Sequence, residues 1–199
     1  MKVIVDVGAD GYPAGNPASK KATEDTQIYL FECLPAHYDK LVKKYGKKSN
    51  FHLSPLALSN EKGTAVFYDT RKHNCSSLRE PNEKDVIVRK RQDLLNYTKI
   101  EVETDTLENV LGHLEEIDYL KLDTQGSEYE IIEGAGDLIY KVKEIRVEVE
   151  FSEWYKGQKL AKDVQTLLEG KGFFLTGKSK QPKNHADYYF RNEKYYDKP

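Results

Sequence analysis

Four short apolar runs in this chain each close on an acid: "KVIVD" on Asp6, "QIYLFE" on Glu32, "IDYLKLD" on Asp123 and "IRVEVE" on Glu150. Their Val, Ile and Leu content is that of strands buried on both faces, the way parallel strands read. Between them lie stretches with helical spacing. "LPAHYDKLVKKYGKK" puts Tyr38, Leu41, Val42 and Tyr45 on one face and stops at Gly46. "TLENVLGHLEE" (106–116) opens on the N-cap Thr106, and "SEYEIIEGAGDLI" (127–139) spaces Ser127 and Glu130 as an N-cap and its partner three residues on. "KLAKDVQTLLEGKG" (159–172) runs out in glycines. Strands alternating with helices restrict the chain to an α/β architecture, a mainly parallel sheet with helices on both faces. "FFLTG" (173–177) and "ADYYFRN" (186–192) are joined by about eight residues and no helix, so one edge ends in an antiparallel hairpin.

The middle of the chain is less regular. "NFHLSPLALS" (50–59) reads as a strand interrupted by Pro55, and "GTAVFYD" (63–69) alternates and pairs with "IEVET" (100–104). Thr70 to Lys99 is rich in Lys and Arg and is expected to be a long loop, a length usually kept for function. A chain of 199 residues forms a sizeable core without disulfides or metals, here as one domain over 1–199. Lys plus Arg is 31 against 33 acids, a formal charge of −2, which lacks the basic excess of a nucleic-acid module. Cys33 and Cys75 have no metal or redox spacing and fit a reducing compartment. With no apolar run near the roughly 18 residues of a membrane span and no signal peptide, a soluble, cytoplasmic protein is expected.

Open α/β sheets bind ligands beyond the carboxyl ends of their strands, at the switch in strand order, where these acids fall. In "VIVDVGADG" Asp6 stands two places before Gly8, and Gly11 follows. The glycines are expected to let a cofactor lie against the first strand–helix turn. The dinucleotide pattern G-x-G-x-x-G is absent, as is the P-loop Gly-Lys-Ser/Thr. Asp6 and Glu32 suit a ligand with an amine and ribose hydroxyls, since carboxylates accept hydrogen bonds from both. S-adenosylmethionine is such a ligand, with Glu32 on its ribose. A nicotinamide-dependent oxidoreductase shares the acid on the second strand, but the glycine spacing speaks against it. A non-catalytic glycan-binding module has no need of Asp6, Glu32 and Asp123 together.

"VDVGADG", "LFE", "LALSNEKGTAVFYD", "SSL" and "IDYLKLDTQGSEYEIIEGA" followed by "IRVEVEF" resemble the FkbM-type S-adenosylmethionine-dependent methyltransferases over residues 3–176. The run Asp118–Ala135 is the most diagnostic. The resemblance implies a Rossmann-like class I methyltransferase fold with seven strands, and methyl transfer to oxygen, often a sugar hydroxyl of a glycan or glycoconjugate. A non-sugar small molecule is the alternative acceptor. On the matching motifs it assigns Asp6, Gly8, Ala9, Gly11, Glu32, Cys33, Ala57 and Asp123 to the cofactor. The chain departs from the pattern at Tyr12–Pro17, where apolar helix-forming residues are usual, and at its start, where Met1 and Lys2 lead straight into the first strand. The latter suggests a domain cut from a larger glycan-assembly protein.

A sugar hydroxyl needs help to lose its proton, from a base or a metal. Asp123 is the first candidate, with Glu128 and Glu150 as further acids facing the same cleft. For Glu128, placement at a helix N-terminus is the competing structural reading. Lys121 reads as the partner of a neighbouring acid. Mg²⁺ or Mn²⁺ on Asp123 and Glu150 is a further expectation, because both ions favour oxygen ligands. His73, Asn74 and Ser77 of the middle loop are candidate acceptor contacts, and Trp154 offers a stacking face for a sugar ring.

Overall fold

The computed structural model describes residues 1–10, 23, 25–70, 75–88, 90–179 and 184–198. The first apolar run is β1 (Lys2–Val7), and the second is β2 (Thr26–Phe31). Helix α1 (Pro35–Tyr45) follows, with Pro35 in its first turn, where a missing N–H has no cost. "NFHLSPLALS" is two strands rather than one. Pro55 separates β3 (Phe51–Ser54) from β4 (Ala57–Leu58), and the two enter different sheets. Next come β5 (Gly63–Asp69), α2 (Glu83–Val88), β6 (Thr98–Asp105) and α3 (Leu107–Leu111). As expected, the Thr106 side chain accepts from the Asn109 N–H at the start of α3. The remaining elements are β7 (Ile117–Leu122), α4 (Glu128–Glu133), β8 (Val142–Glu150), α5 (Ala161–Gly170), β9 (Phe173–Lys178) and β10 (His185–Asn192). Among the described residues no helix is long and apolar enough to cross a membrane.

The main sheet has seven strands in the order β3-β2-β1-β7-β8-β10-β9. All neighbouring pairs are parallel except those made by β10, which runs antiparallel to both β8 and β9. This is the expected class I methyltransferase arrangement, with its terminal hairpin. Strand order reverses at β1, between β2 and β7, which sets the binding crevice at their carboxyl ends. Register brings Asp6 beside Lys121 and Lys121 beside Arg146, a row of three charged residues across β1, β7 and β8. A second sheet, β4-β6-β5, pairs β5 with β6 antiparallel from Gly63↔Thr104 to Asp69↔Thr98.

Alternate residues of the central strands point to opposite faces. Val3, Val5, Val7, Leu120, Leu122, Val147 and Val149 share the face packed against α3, α4 and α5 through Leu107, Ile131, Ile132, Val164 and Leu168. Each such side chain, fully buried, contributes about 1.5–3 kcal/mol. On the other face Ile28 and Leu30 pack on Leu41 and Tyr45 of α1. Ala57, Phe67 and Val102 of the small sheet pack with Cys33 and Leu34, so that sheet leans on the carboxyl end of β2.

The segment from Thr70 to Lys99 is not a bare loop. It carries α2 and a 3₁₀ turn at Gln92–Leu95. It is tied to the stretch after β8 by a Pro81↔Tyr155 bridge and by backbone bonds from Asn82 to Trp154 and from Lys156 to Glu80. Leu94, 0% exposed, and Val86, 1% exposed, anchor it in the interior. The expected helix over 127–139 is likewise two pieces, α4 and a 3₁₀ turn at Gly136–Lys141, divided at Gly134.

Candidate active site

A cavity of about 290 Å³ opens at the carboxyl ends of β1, β2 and β7, lined by Asp6, Gly8, Ala9, Glu32, Cys33, Ala57 and Asp123 among others. Seven of the eight residues assigned to the cofactor from sequence therefore meet around one space. Gly11 lies outside the described residues, as do Tyr12–Pro17, His73 and Asn74.

The turn after β1 is built by backbone. The N–H groups of Gly8 and Ala9 both donate to the Phe31 carbonyl, at 3.1 and 3.2 Å. Gly8 sits at φ +79°, in the left-handed region, and a Cβ there stands 1.9 Å from the Asp123 carbonyl oxygen. The close neighbour that excludes a side chain at Gly8 is thus the end of β7, where the sequence reading expected a cofactor. The missing side chain lets the two strand ends close on each other, with Asp123 N–H donating to Val7 O at 3.1 Å.

Glu32 is 8% exposed. One carboxylate oxygen accepts from the Asp10 N–H at 2.8 Å and the other from the Leu34 N–H at 2.9 Å. Burial raises its carboxyl to about 7 against the pull of those two donors. It therefore ties the β1 turn to the β2 end, and Asp10, at φ +49°, also meets His37 Nδ1 at 2.9 Å. Cys33 lines the same wall, with burial pushing its thiol well up.

Asp6 is 1% exposed. Its Oδ1 accepts from Lys121 Nζ at 3.1 Å, while Oδ2 is buried with no hydrogen-bond partner among the described residues. Burial raises the Asp6 carboxyl, and Lys121 opposes it. Lys121 also reaches Asp123 Oδ2 at 3.2 Å. Burial pulls the ammonium down, but the two carboxylates outweigh it and the net shift is upward. For Asp123 the balance runs the other way: burial raises it, and Lys121 with the Gln125 amide carries it below the usual range. Asp123 is thus ionised at neutral pH, with its side chain 31% exposed at the cavity wall.

The other acids lie around Asp123 in different roles. Glu128, 3% exposed, accepts from the Thr124 N–H at 2.6 Å, the Thr124 hydroxyl at 3.0 Å and the Gly126 N–H at 2.9 Å. Its carboxylate is turned into its own turn and does not line the cavity. That turn closes on Glu128 instead of the expected cap: Ser127 makes no side-chain capping bond, and Glu130 pairs with Arg79. Glu150 accepts from Gln158 Nε2 at 2.9 Å, and burial first, then Glu128 and Asp123, push it well above the carboxylate range. Lys121 and Gln125 contact the Asp123 carboxylate, and Gln158 contacts that of Glu150. Among the described residues no group of three or more His, Cys, Asp or Glu is arranged to hold a metal ion.

Ser77 is fully buried and donates to the Gln125 carbonyl at 2.7 Å, so it shapes the turn after β7. Trp154 stands outside the cavity lining, its ring under the Arg91 guanidinium at 5.9 Å and edge-on to His185 at 6.5 Å. Three residues escaped the sequence reading. Gln125, at φ +59°, directs its amide to Asp123 at 3.3 Å and to Glu148 at 2.5 Å. Burial first, then Asp123, raise Glu148 to about 10. Arg146 lines the cavity. The alternation Glu144, Arg146, Glu148, Glu150 with the core residues Ile145, Val147 and Val149 was the available signal.

The fold matches solved structures. Fibrillarin, a pre-rRNA processing protein of Methanococcus jannaschii, superposes with a TM-score of 0.55 at 14% identity, over 96% of this chain and 66% of that one. Methyltransferase FkbM of Methylobacillus flagellatus KT gives 0.53 at 12% identity, over 94% of this chain and 43% of that one. Aeropyrum pernix fibrillarin, solved with S-adenosyl-L-methionine bound, gives 0.51 at 14% identity, over 95% and 65%. This chain thus spans two thirds or less of the length of each. No curated protein sequence matches it. A family profile, the methyltransferase FkbM domain, matches residues 6–175, from the acid near the end of β1 into the strand that begins the terminal hairpin. By that match and by the sheet that carries it, the chain belongs to the FkbM methyltransferase family.

Proposed function

We propose that this chain binds S-adenosylmethionine and transfers its methyl group to the oxygen of a sugar hydroxyl in a glycan or glycoconjugate. The observation that carries the reading is Asp123. It is an ionised carboxylate at the cavity wall, at the end of the strand beside β1, clamped by Lys121 and Gln125. The bound cofactor supplies an electrophilic methyl on a positively charged sulfur, and Asp6 and Asp123 give this end of the cavity the complementary charge. Glu32 at the other end suits the ribose hydroxyls, since a carboxylate oxygen with one backbone donor keeps a second lone pair. With the methyl group supplied by the bound cofactor, the Asp123 carboxylate would accept the proton of the acceptor hydroxyl and release it to solvent. Lys121 and Gln125 keep that carboxylate in one orientation, and positioning supplies much of the rate of such a transfer.

The test is methyl transfer from labelled S-adenosylmethionine to a panel of mono- and oligosaccharides, with hydroxylated non-sugar acceptors alongside. Asp123→Asn keeps the shape and removes the basicity. Turnover is expected to fall by roughly 10²- to 10⁴-fold with S-adenosylhomocysteine affinity nearly intact. Wild-type turnover in that variant refutes the assignment of the base. Loss of wild-type turnover on chelation, restored by Mg²⁺ or Mn²⁺, moves Asp123 from base to metal ligand. Label appearing only in the non-sugar acceptors refutes the glycan reading.

A further inference from the structure

We propose that Arg146 anchors the carboxylate at the amino-acid end of the cofactor, while Asp6 takes its ammonium group. This rests on the reading of the cavity as an S-adenosylmethionine site and adds a recognition element that the sequence motifs do not contain.

The α-amino acid end of that cofactor presents one cation and one anion a few ångströms apart. Asp6, Lys121 and Arg146 stand in register on three adjacent strands and all line the cavity. At about 4.8 Å between strands, Asp6 and Arg146 are roughly 10 Å apart at the backbone. Lys121 stands between them with its ammonium drawn to Asp6 and Asp123, so an amino acid head hydrogen-bonded to both would lie over the Lys121 side chain. Each also carries an orphaned atom of the right kind. Asp6 Oδ2 is a buried acceptor with no partner, and Arg146 Nε is a buried donor with none. Buried polar groups are nearly always paired in folded proteins, yet three residues of this lining, Asp6, Ser127 and Arg146, each carry an unpartnered buried atom, and the acidic and the basic one suit the two ends of a zwitterion.

Lys121 is a poorer candidate for the anion, because its ammonium already bridges Asp6 and Asp123 at 3.1 and 3.2 Å. Arg146 has spare capacity. It makes one hydrogen bond among the described residues, from Nη2 to Asp187 Oδ2 at 2.9 Å, out of the five N–H donors of a guanidinium. Asp187 fixes the head group in place, and the planar fork leaves other donors for a carboxylate. The direction is right as well. With the ribose at Glu32 on β2, the opposite end of an extended ligand runs past β1 and β7 toward β8, where Arg146 stands.

Calorimetric titration with two probes tests this without any acceptor. S-adenosylhomocysteine carries the amino-acid end; 5′-methylthioadenosine shares the nucleoside and lacks it. Wild type is expected to bind the first more tightly. Arg146→Met combined with Asp187→Asn, which avoids stranding the aspartate charge, is expected to lose about tenfold to a hundredfold for S-adenosylhomocysteine. Its 5′-methylthioadenosine affinity stays within twofold. Arg146→Lys keeps the charge against Asp187 but not the fork, and is expected to fall between, which settles the matter should the double variant not fold. Equal weakening of both probes in Arg146→Lys, or unchanged S-adenosylhomocysteine affinity in either variant, overturns the anchor. Wild type binding both probes equally overturns it too while sparing the cofactor reading. Wild type binding neither overturns both.

Discussion

Replacing Gly8 by alanine separates two costs that a glycine can hide. The first is conformational: an L-residue in the left-handed region costs roughly 1–2 kcal/mol. Gly172→Ala measures that cost alone, since Gly172 sits at φ +82° with nothing within 4 Å of an added Cβ. The second is steric. At Gly8 the added carbon falls 1.9 Å from the Asp123 carbonyl oxygen and 2.9 Å from its carbon, both backbone atoms. Backbone cannot swing aside as a side-chain tip does, so the ends of β1 and β7 must separate by more than an ångström. Overpacking of this kind adds about 1–3 kcal/mol. Gly8→Ala is therefore expected to lose about 2–5 kcal/mol, a fall in melting temperature of roughly 4–20 °C for a chain of this size. Gly170→Ala is the opposite control, with no neighbour and no positive φ at the end of α5, and should gain up to about 1 kcal/mol. The assay is urea or thermal unfolding of all three variants beside wild type. If Gly8→Ala loses no more than Gly172→Ala, the close approach to Asp123 is not what requires glycine there.

The remaining expectations concern single side chains. Glu128→Gln replaces an acceptor of three hydrogen bonds by an amide whose NH₂ faces donors; it should cost about 2–4 kcal/mol, read by urea unfolding. Unchanged stability refutes its role in the turn. Glu32 has a folded-state value raised from 4.5 to about 7, so the native state holds more protons than the unfolded chain between those limits. Stability should accordingly fall as pH rises from about 4.5 to 7, by about 3 kcal/mol, and Glu32→Gln should remove that slope in melting temperature measured against pH. Arg79→Ala strips Glu130 of its partner and the Lys156 carbonyl of its donor, untying the α2 segment from α4. Amide exchange should accelerate first in residues 75–88, and uniform acceleration across the sheet would count against that local tie.

The sequence alone determined the strands and helices of the main sheet, their order and the family. Period-2 and period-3.6 patterns, glycine stops and the Thr106 cap are local signals, carried by residues within a turn or a strand of each other, so they survive in one dimension. The glycine turn and the acids at Asp6, Glu32 and Asp123 were legible for the same reason, since an open parallel sheet exposes its strand ends as a matter of geometry. Pro55 was visible too, but that it divides one expected strand between two sheets was not, because strand pairing is a choice among distant partners. What tertiary structure decided is which charges meet. Lys121 lies 115 residues from Asp6, and only the β1–β7 register puts their side chains at 3.1 Å. The same pairing makes the Asp123 carbonyl, rather than a ligand, the neighbour of Gly8, and the β7–β8 register brings Arg146 into the row. Glu128 looks identical in sequence whether it faces a cleft or its own backbone; the positive φ of Gln125 and Gly126 folds the turn around its carboxylate. Periodicity is written into neighbouring residues, whereas the ionisation and reach of an acid depend on partners supplied by other strands, and those exist only once the sheet has closed.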